Sequence, residues 1–442
     1  MSADTIIRAQ VLHTPRDPFD DPAALEAFSD GALAVRDGRI AAVGDWARVR
    51  AEHPDADVED HRDAILLPGL VDLHVHYPQV AVIGAMGLEL LEWLQSRTLP
   101  EEARLADTAY AREVAHGFVR ALAANGTTTA LVFGSHFPDA QDVLFAEAEQ
   151  AGLRLASGLV VSDRNLLPSL HRSPEAAYEA SRALIDRWHG RGRLRYAVTP
   201  RFSLSCTDTM LEACGALLGE RPGLLFTSHI NENPAEIRAV ADLFPWARDY
   251  LDTYERYGLV GPESVLAHDV HVGDDELRRL AAARGSVAHC PSSNAFLGSG
   301  IFAMARHHRH GVRFGLGTDV GAGTGLSLFK EGLMAYHVQM VRPEGHLIGP
   351  AHLLYLATRA GAEALGLGDE VGDLSPGRCA DYLLIRPPAD STLELVLRQS
   401  PSAEATLGAL FTLAREDCVA EVRIAGERVA SRDAPATAAA AR

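Results

Sequence analysis

Lysine is nearly absent from this 442-residue sequence: Lys330 is the single lysine among 41 basic residues, and the formal charge at pH 7 is −18. Nucleic acids and anionic membrane surfaces bind cationic protein faces. No run of Lys and Arg and no basic helix supplies such a face here. We therefore expect neither nucleic acid nor a membrane as a partner.

Paired cysteines and long apolar runs are also missing. The five cysteines are scattered, without a CxxC pair or framework spacing, which is typical of reduced thiols in the cytosol. No apolar run approaches the roughly 20 residues of a membrane span. Residues 1–5 show no charged region followed by an apolar one, as a secretory signal would. We therefore expect a cytoplasmic protein.

Two histidines end the apolar stretch of residues 67–76, which is interrupted at Pro68 and Gly69. Residues i and i+2 of a strand point to the same face, so His74 and His76 would project side by side. Two imidazoles that converge from one strand end are half of a metal site. The alternative is a pair of ordinary strand histidines that face solvent or a polar core.

Strand-like and helix-like segments alternate after this stretch. Amphipathic segments at 106–124, 175–188 and 274–283 separate some of the strands. Counting the opening strand, eight βα units follow one another, which predicts an α/β fold built on a (β/α)8 TIM barrel. The further strands are predicted at 127–133, 153–159, 194–199, 224–229, 264–268, 286–289 and 312–317.

Short strands also occupy both ends of the chain. Residues 32–43 contain a hairpin signature around Asp37 and Gly38, and residues 380–385 and 422–430 repeat the strand pattern. We therefore predict a small β-sandwich domain built from both chain termini. The predicted domains are 1–68 and 376–432 for the two parts of the β-sandwich, 69–375 for the barrel and 433–442 for a loose tail.

Histidine and aspartate recur where the predicted strands end. Besides His74 and His76 on strand one, His229 ends strand five, His268 ends strand six and Asp319 follows strand eight. Barrel chemistry lies at the C-terminal ends of the strands, so these side chains are expected to converge. Nitrogen and oxygen ligands of this kind predict a metal site.

A carboxylate follows one of these predicted ligands closely. Glu232 lies three positions after His229 and would reach a substrate. Hydrolysis by a metal-bound water needs a base and an acid, and Asp319 and Glu232 fit these roles. The alternative for Glu232 is a cap at the start of a helix beside Pro234, where acidic residues are favoured.

Strand four ends in Arg201 and Phe202. This pair suits a flat heterocycle with a carbonyl group, because the guanidinium can donate to the carbonyl oxygen while the ring stacks. The alternative places Arg201 in a structural ion pair and Phe202 in the core.

The single lysine bears on the number of metal ions. A carboxylated lysine bridges two metals in some barrels of this kind, and only Lys330 could supply one. It lies in the helical stretch of residues 326–336, away from any predicted strand end. One metal is therefore predicted rather than two.

Three other features have two interpretations each. The amphipathic segment 90–94 either lies over the barrel mouth or packs on its rim. His136, which follows strand two, is interpreted as structural, although it could line the mouth. The His-His-Arg-His run at 307–310 fans around a helix, which favours a solvated face over a metal cluster.

These pieces together resemble the amidohydrolase superfamily and, within it, the barrel-type guanine deaminases, as far as about residue 430. The metal motifs identify the superfamily, and Gln79, Arg201, Phe202 and Glu232 narrow the resemblance to guanine. The matching motifs are PGLVDLHVH at 68–76, LLEWL at 90–94, GTTT at 126–129, TPRFS at 199–203, SHINEN at 228–233, AH at 267–268, AHCPSSN at 288–294 and GLGTD at 315–319.

The resemblance implies a homodimer that deaminates guanine hydrolytically to xanthine and ammonia. One Zn²⁺ per subunit would be held by His74, His76, His229 and Asp319, although such ligands also accept Fe²⁺. Attack at the C2 atom of guanine gives a tetrahedral intermediate that loses ammonia. His268 would touch the metal-bound water or this intermediate.

The same resemblance implies the purine contacts. Gln79 and Arg201 would form hydrogen bonds with the purine, Phe202 would stack near it, and Glu232 would carry a proton to a ring nitrogen. The predicted substrate-binding residues are Gln79, Arg201, Phe202, His229, Glu232 and Asp319, and the predicted catalytic residues are Glu232, His268 and Asp319.

Two departures from the family pattern leave the substrate open. Asp269 follows His268 where many relatives have glycine, and Tyr77 and Pro78 fill the gap before Gln79. Alternative substrates are 8-oxoguanine, another purine, a pterin or an s-triazine. A different class of alternative is a catalytically silent barrel that serves as a binding protein; the intact ligand set and Glu232 argue against it.

Overall fold

The computed structural model describes residues 4–432, so the predicted tail at 433–442 lies outside the described residues. Four strands open the chain. The turn between the second and the third has positive φ at Asp37 (50°) and Gly38 (75°), as a tight hairpin requires. These strands are β1 (Thr5–His13), β2 (Glu26–Arg36), β3 (Arg39–Asp45) and β4 (Asp57–Pro68).

The next nine strands form the parallel sheet of the barrel, so the predicted (β/α)8 fold is confirmed. Eight of them follow one another around the sheet, and the short β8 pairs only with β9. The strands are β5 (Leu70–His76), β6 (Thr127–Phe133), β7 (Arg154–Gly158), β8 (Val160–Val161), β9 (Leu194–Pro200), β10 (Leu225–Ile230), β11 (Ser264–His268), β12 (Ser286–His289) and β13 (Arg313–Leu316).

Three strands close the described chain: β14 (Tyr382–Ile385), β15 (Val419–Ile424) and β16 (Glu427–Ser431). They join the first four in a seven-stranded sheet of order β16-β15-β14-β4-β1-β2-β3. Tyr382 of β14 lies opposite Pro68 of β4. The predicted β domain assembled from both chain ends is therefore confirmed, while its exact boundaries stay a prediction.

Helices surround the barrel and bury its outer face. Phe118, Leu144 and Leu211 of these helices pack in one cluster with Val132 and Phe226 of the strands. Among the described residues, no helix has both the length and the apolar character that crossing a membrane requires. The α-helices are Trp46–Glu52, Leu90–Trp93, Leu99–Arg104, Thr108–Ala124, Pro138–Ala151, Pro174–Trp188, Asp208–Leu218, Pro234–Leu243, Asp252–Glu255, Asp274–Ala282, Pro291–Phe296, Met304–His310, Leu328–Val341, Pro350–Ala357, Arg359–Ala364, Thr392–Arg398 and Ala403–Leu413.

Short turns of other helix types complete the connections. The 3-10 turns are Tyr77–Val82, Pro168–Leu170, Ser203–Ser205 and Glu416–Cys418, and one π-helical turn spans Leu94–Thr98.

Two backbone hydrogen bonds close the barrel between its first and last strands. Asp319 N donates to His74 O at 2.7 Å, and His76 N donates to Val320 O at 2.9 Å. Gly317 permits this approach, because a Cβ atom at this position would lie 2.9 Å from the Cβ of His74. The residues after β13 are thereby held directly beside the two histidines of β5.

The buried Asp72 carboxylate fastens the same junction. It accepts hydrogen bonds from Thr318 Oγ1 at 2.6 Å, from Thr318 N at 3.0 Å and from His74 N at 3.1 Å. Because three donors of the first and last strands meet on one side chain, Asp72 sets the register in which the barrel closes.

We expect Thr318→Val to lower the stability of the protein by about 1–3 kcal/mol, the cost of leaving a buried hydrogen-bonding atom without its partner. The measurement is the midpoint of chemical denaturation. The matched control is Thr227→Val on β10, whose buried hydroxyl has no hydrogen-bond partner among the described residues. Equal shifts in the two variants would contradict the role assigned to the Thr318 hydroxyl.

Candidate metal and substrate site

Three imidazoles and one carboxylate converge at the C-terminal end of the barrel. His74 and His76 come from β5, His229 comes from β10, and Asp319 follows β13. Their ligand atoms all lie within 4.8 Å of one another. His74 Nε2 is 3.0 Å from His76 Nε2, and Asp319 Oδ1 lies 3.2 Å from His76 Nε2 and 3.3 Å from His74 Nε2. The structure thus brings all four predicted metal ligands together.

The spacing of these atoms fits a small tetrahedral cation. Ligand atoms that lie 2.0–2.1 Å from such an ion are about 3.3 Å apart. His229 Nδ1 lies 2.6 Å from Arg201 O and donates to it, which leaves the lone pair of Nε2 for a metal. This donor set can hold zinc or another divalent metal that accepts nitrogen and oxygen ligands.

The protonation states of the group also suit a cation. Burial lowers the pKa of His76 to about 4 and that of His229 well below its ordinary value, so both rings are neutral. Burial alone would raise the pKa of Asp319, but its hydrogen bonds with His74 and His76 outweigh this effect and keep the pKa well below the usual range. Neutral imidazoles and a carboxylate are the forms that bind metals.

A second group of potential ligands shares Asp319 with the first. It consists of His268, Cys290 and Asp319. Burial raises the pKa of the Cys290 thiol well above its ordinary value, and a protonated thiol is a poor ligand. The first group therefore fits a metal better than the second.

Left-handed backbone conformations turn the chain sharply where the strands end. The φ angles are 50° at Asn231, 77° at His268, 46° at Asp269 and 48° at Asp319, although none of these residues is glycine. Such conformations cost energy and tend to cluster at functional sites. Of these four residues, His268 and Asp319 line a cavity at the barrel mouth.

Asp269 does not line the mouth but holds one of these turns from behind. Its Oδ1 accepts a hydrogen bond from Asn231 Nδ2 at 3.0 Å, and its Oδ2 lies 2.9 Å from His307 Nε2. His307 is fully buried, so the interpretation of its helix as a solvated face was wrong for this residue. The local pattern could not reveal a partner 38 positions away in the sequence.

Glu232 and His268 lie next to the metal group. Glu232 Oε2 is 3.5 Å from His268 Nε2, which is itself 3.8 Å from Asp319 Oδ2. Burial, followed by the negative charge of Asp319, raises the pKa of Glu232 to about 8. Ser299 Oγ donates to Glu232 Oε1 at 3.0 Å. A carboxyl group of this pKa can give and take protons near neutral pH.

The alternative role of Glu232 as a helix cap does not hold. The helix Pro234–Leu243 is capped by Asn233, whose Oδ1 accepts a hydrogen bond from Ala235 N at 2.9 Å. The Glu232 side chain points instead towards His268 and Ser299.

A cavity opens beside the metal group. Three residues of segment 90–94 line it: Leu90, Trp93 and Leu94 form an apolar wall with Phe202. Of the predicted site residues, only His74 does not line the cavity. The lining residues are His76, Gln79, Leu90, Trp93, Leu94, Arg201, Phe202, His229, Glu232, His268, Leu297, Asp319 and Ala322.

One buried carboxylate behind the cavity was missed by the sequence analysis. Glu102 pairs with Arg201 (Nη2 to Oε1, 3.0 Å) and accepts a hydrogen bond from Gln79 Nε2 at 2.7 Å. His136 Nε2 lies 3.2 Å from its Oε2. His136 does not line the cavity, and Arg201 both lines it and forms an ion pair. The pattern Glu101-Glu102 gave no sign of which acid is buried beneath the site.

Family models match most of the chain. The model of the amidohydrolase family matches residues 65–429, and a model for an imidazolonepropionase-like composite domain of bacteria matches residues 31–56. A protein of Deinococcus radiodurans named "Probable guanine deaminase" is 59% identical over 437 residues, which cover 98% of this chain and 100% of the relative.

Solved structures agree with these matches. The Escherichia coli guanine deaminase has a TM-score of 0.94 at 37% identity, over 97% of this chain and 100% of that one. The guanine deaminase of C. acetobutylicum, solved with guanine bound in its active site, has a TM-score of 0.89 at 25% identity, over 96% and 99% of the two chains.

The chain therefore belongs to the amidohydrolase family, whose members are metal-dependent hydrolases. Within that family, two relatives that cover nearly the whole chain are named "Probable guanine deaminase" and guanine deaminase. The resemblance found in the sequence is confirmed.

We expect His229→Asn and His268→Asn to differ in metal content, although both remove a buried histidine at a strand end. His229→Asn removes a ligand of the first group and should bring the metal content well below one ion per chain. His268→Asn should leave about one ion per chain, because His268 lies outside that group. Elemental analysis of the purified variants measures this, with circular dichroism to verify folding. Equal loss of metal in both variants would make His268 a ligand.

Proposed function

We propose that this protein hydrolyses guanine to xanthine and ammonia with one zinc ion per subunit. One observation carries the proposal: Gln79, Arg201, Phe202 and Glu232 line the same cavity as the metal group. The names of the relatives, including one solved with guanine bound, support the choice of substrate.

The cavity offers complementary contacts for a purine. The apolar wall of Leu90, Trp93 and Phe202 suits the faces of a flat aromatic ring. Arg201 and Gln79 supply donors at the polar edge, where Arg201 would donate to the carbonyl oxygen of guanine. The ring is thereby oriented with its amino-bearing carbon towards the metal group.

The acid and base groups follow from the electrostatics of the site. Zinc, when bound, lowers the pKa of water and so supplies a hydroxide nucleophile near neutral pH. Asp319 is ionised and can take a proton, while Glu232, with a pKa near 8, can donate one to a ring nitrogen. His268, whose Nε2 lies 3.5 Å from Glu232 Oε2 and 3.8 Å from Asp319 Oδ2, would contact the attacking oxygen. Addition of water at C2 and departure of the amino group as ammonia leave a carbonyl group, which gives xanthine.

The proposal also covers the number of metal ions, the identity of the metal, the oligomeric state and the location. A single metal is favoured because Lys330 Nζ donates to Thr324 O at 2.9 Å and Lys330 does not line the cavity beside the metal group. Zinc is proposed because histidine nitrogens and a carboxylate oxygen are ligands that it commonly binds in proteins. A homodimer and a cytoplasmic location stay predictions.

The test of the function is release of ammonia from a panel of heterocycles by the metal-loaded protein. Guanine should be turned over, with xanthine as the product identified by its ultraviolet spectrum. The panel also contains 8-oxoguanine, 2-aminopurine, a pterin and an s-triazine. If guanine is inert while another member releases ammonia, the substrate is wrong and the reaction class stands; if none releases ammonia, the enzymatic proposal fails.

We expect Glu232→Gln to keep its zinc but to lose at least about 100-fold in kcat, because proton transfer by a positioned side chain contributes about that much. Steady-state kinetics and elemental analysis measure the two properties separately. The control variant is Ser299→Ala, which removes the hydrogen bond to Glu232 Oε1 but keeps the carboxyl group. It should lose much less activity than Glu232→Gln. Loss of zinc from Glu232→Gln would show that Glu232 is a metal ligand instead.

A further inference from the structure

Glu102 is a buried carboxylate shared by two side chains of the cavity. Arg201 approaches it with two nitrogens, Nη2 at 3.0 Å from Oε1 and Nε at 3.4 Å from Oε2. Gln79 Nε2 donates to Oε1 at 2.7 Å, and His136 Nε2 lies 3.2 Å from Oε2. Glu102 is 4% exposed and does not line the cavity.

The ion pair determines which nitrogen of Arg201 is available to a ligand. Nε and Nη2 are engaged with Glu102, whereas Nη1 has no hydrogen-bond partner among the described residues. A guanidinium presents its donors in a rigid plane, so fixing two of them fixes the direction of the third. Glu102 therefore aims one donor of Arg201.

The same carboxylate sets the orientation of the Gln79 amide. Its Oε1 accepts a hydrogen bond from Gly321 N at 3.1 Å, so the opposite end of the amide must carry the donors. One amide hydrogen is directed to Glu102. The other side of the same amide nitrogen lies 3.1 Å from His76 Nδ1.

Charge gives a second reason for the pairing. A buried guanidinium without a partner is costly, and Arg201 is 3% exposed. The other acids around the cavity, Glu232 and Asp319, are needed for proton transfer and for the metal. Because Glu102 compensates Arg201, the cation does not have to pair with either of them.

We propose that Glu102 is the positioning residue of the purine site, which holds Arg201 and Gln79 in the orientation that recognises the carbonyl edge of the ring. The inference rests on the proposed function. Glu102 does not line the cavity itself. Through Glu102, the helix Leu99–Arg104 nevertheless takes part in the choice of substrate.

The test is Glu102→Gln, which keeps the shape of the side chain and removes its charge. Zinc content should stay unchanged, and kcat/KM for guanine should fall about 10–100-fold, mainly through KM, as expected for the loss of a hydrogen-bonded charge pair. Inhibition constants provide the specific readout. Hypoxanthine, which has the carbonyl group, should bind more weakly by the same factor, whereas purine, which lacks it, should change less than about twofold.

Two variants serve as controls. Glu101→Gln changes the adjacent carboxylate, which contacts Tyr110 and Arg104 instead of the purine site, and it should behave as wild type. Glu102→Asp keeps the charge and should recover part of the affinity for hypoxanthine.

The outcomes separate this inference from the proposed function. Three results for Glu102→Gln would overturn the role of Glu102: equal weakening of hypoxanthine and purine binding, loss of zinc, or kinetics like those of Glu101→Gln. Turnover of guanine by the wild type would be unaffected by any of them. A wild-type protein that releases no ammonia from guanine would overturn the proposed function and this inference with it.

Discussion

The closure of the barrel between its first and last strands is the constraint on which the site depends. The hydrogen bond from Asp319 N to His74 O, 2.7 Å long, joins two ligands of the metal group through their own backbones. Asp72 reinforces this junction through Thr318, 246 positions away in the sequence. A metal held by His74, His76 and Asp319 would join the two edges of the barrel a second time, so metal binding and barrel closure stabilise each other.

The distribution of buried charge around the cavity follows from the same geometry. The three acids Asp319, Glu102 and Glu232 differ in pKa because each has different neighbours. Asp319 is kept ionised by its contacts with histidines, and Glu102 is kept ionised by the charge of Arg201 and by His136, which together outweigh the effect of burial on its pKa. Among the described residues, no arginine or lysine forms an ion pair with Glu232, and burial, followed by the charge of Asp319, raises its pKa to about 8. The carboxyl group left without a fixed counter-charge is the one suited to move protons.

Local pattern predicted those parts of the site that lie on regular strands. His74, His76, His229 and His268 were found because strand ends of a parallel barrel meet on one face. Glu102 was missed because it lies in the irregular connection between β5 and the helix Thr108–Ala124, whose path depends on tertiary packing. His307 was misread for a related reason: its ring is buried against Phe302 and against Asp269, 38 positions away, whereas the other two histidines of its helix are partly exposed.

The connection after β5 provides both an apolar wall of the cavity and the carboxylate that pairs with Arg201. Its segment 90–94 contributes the apolar wall, and Glu102, a little further along, compensates Arg201. A flat neutral ring can therefore enter without meeting an uncompensated charge, yet it faces one aimed donor of Arg201. A ring without a carbonyl group leaves that buried donor unpaired, and unpaired polar groups discriminate more strongly than lost apolar contacts do. Selectivity for an oxo-purine thus depends on a carboxylate that the substrate never touches.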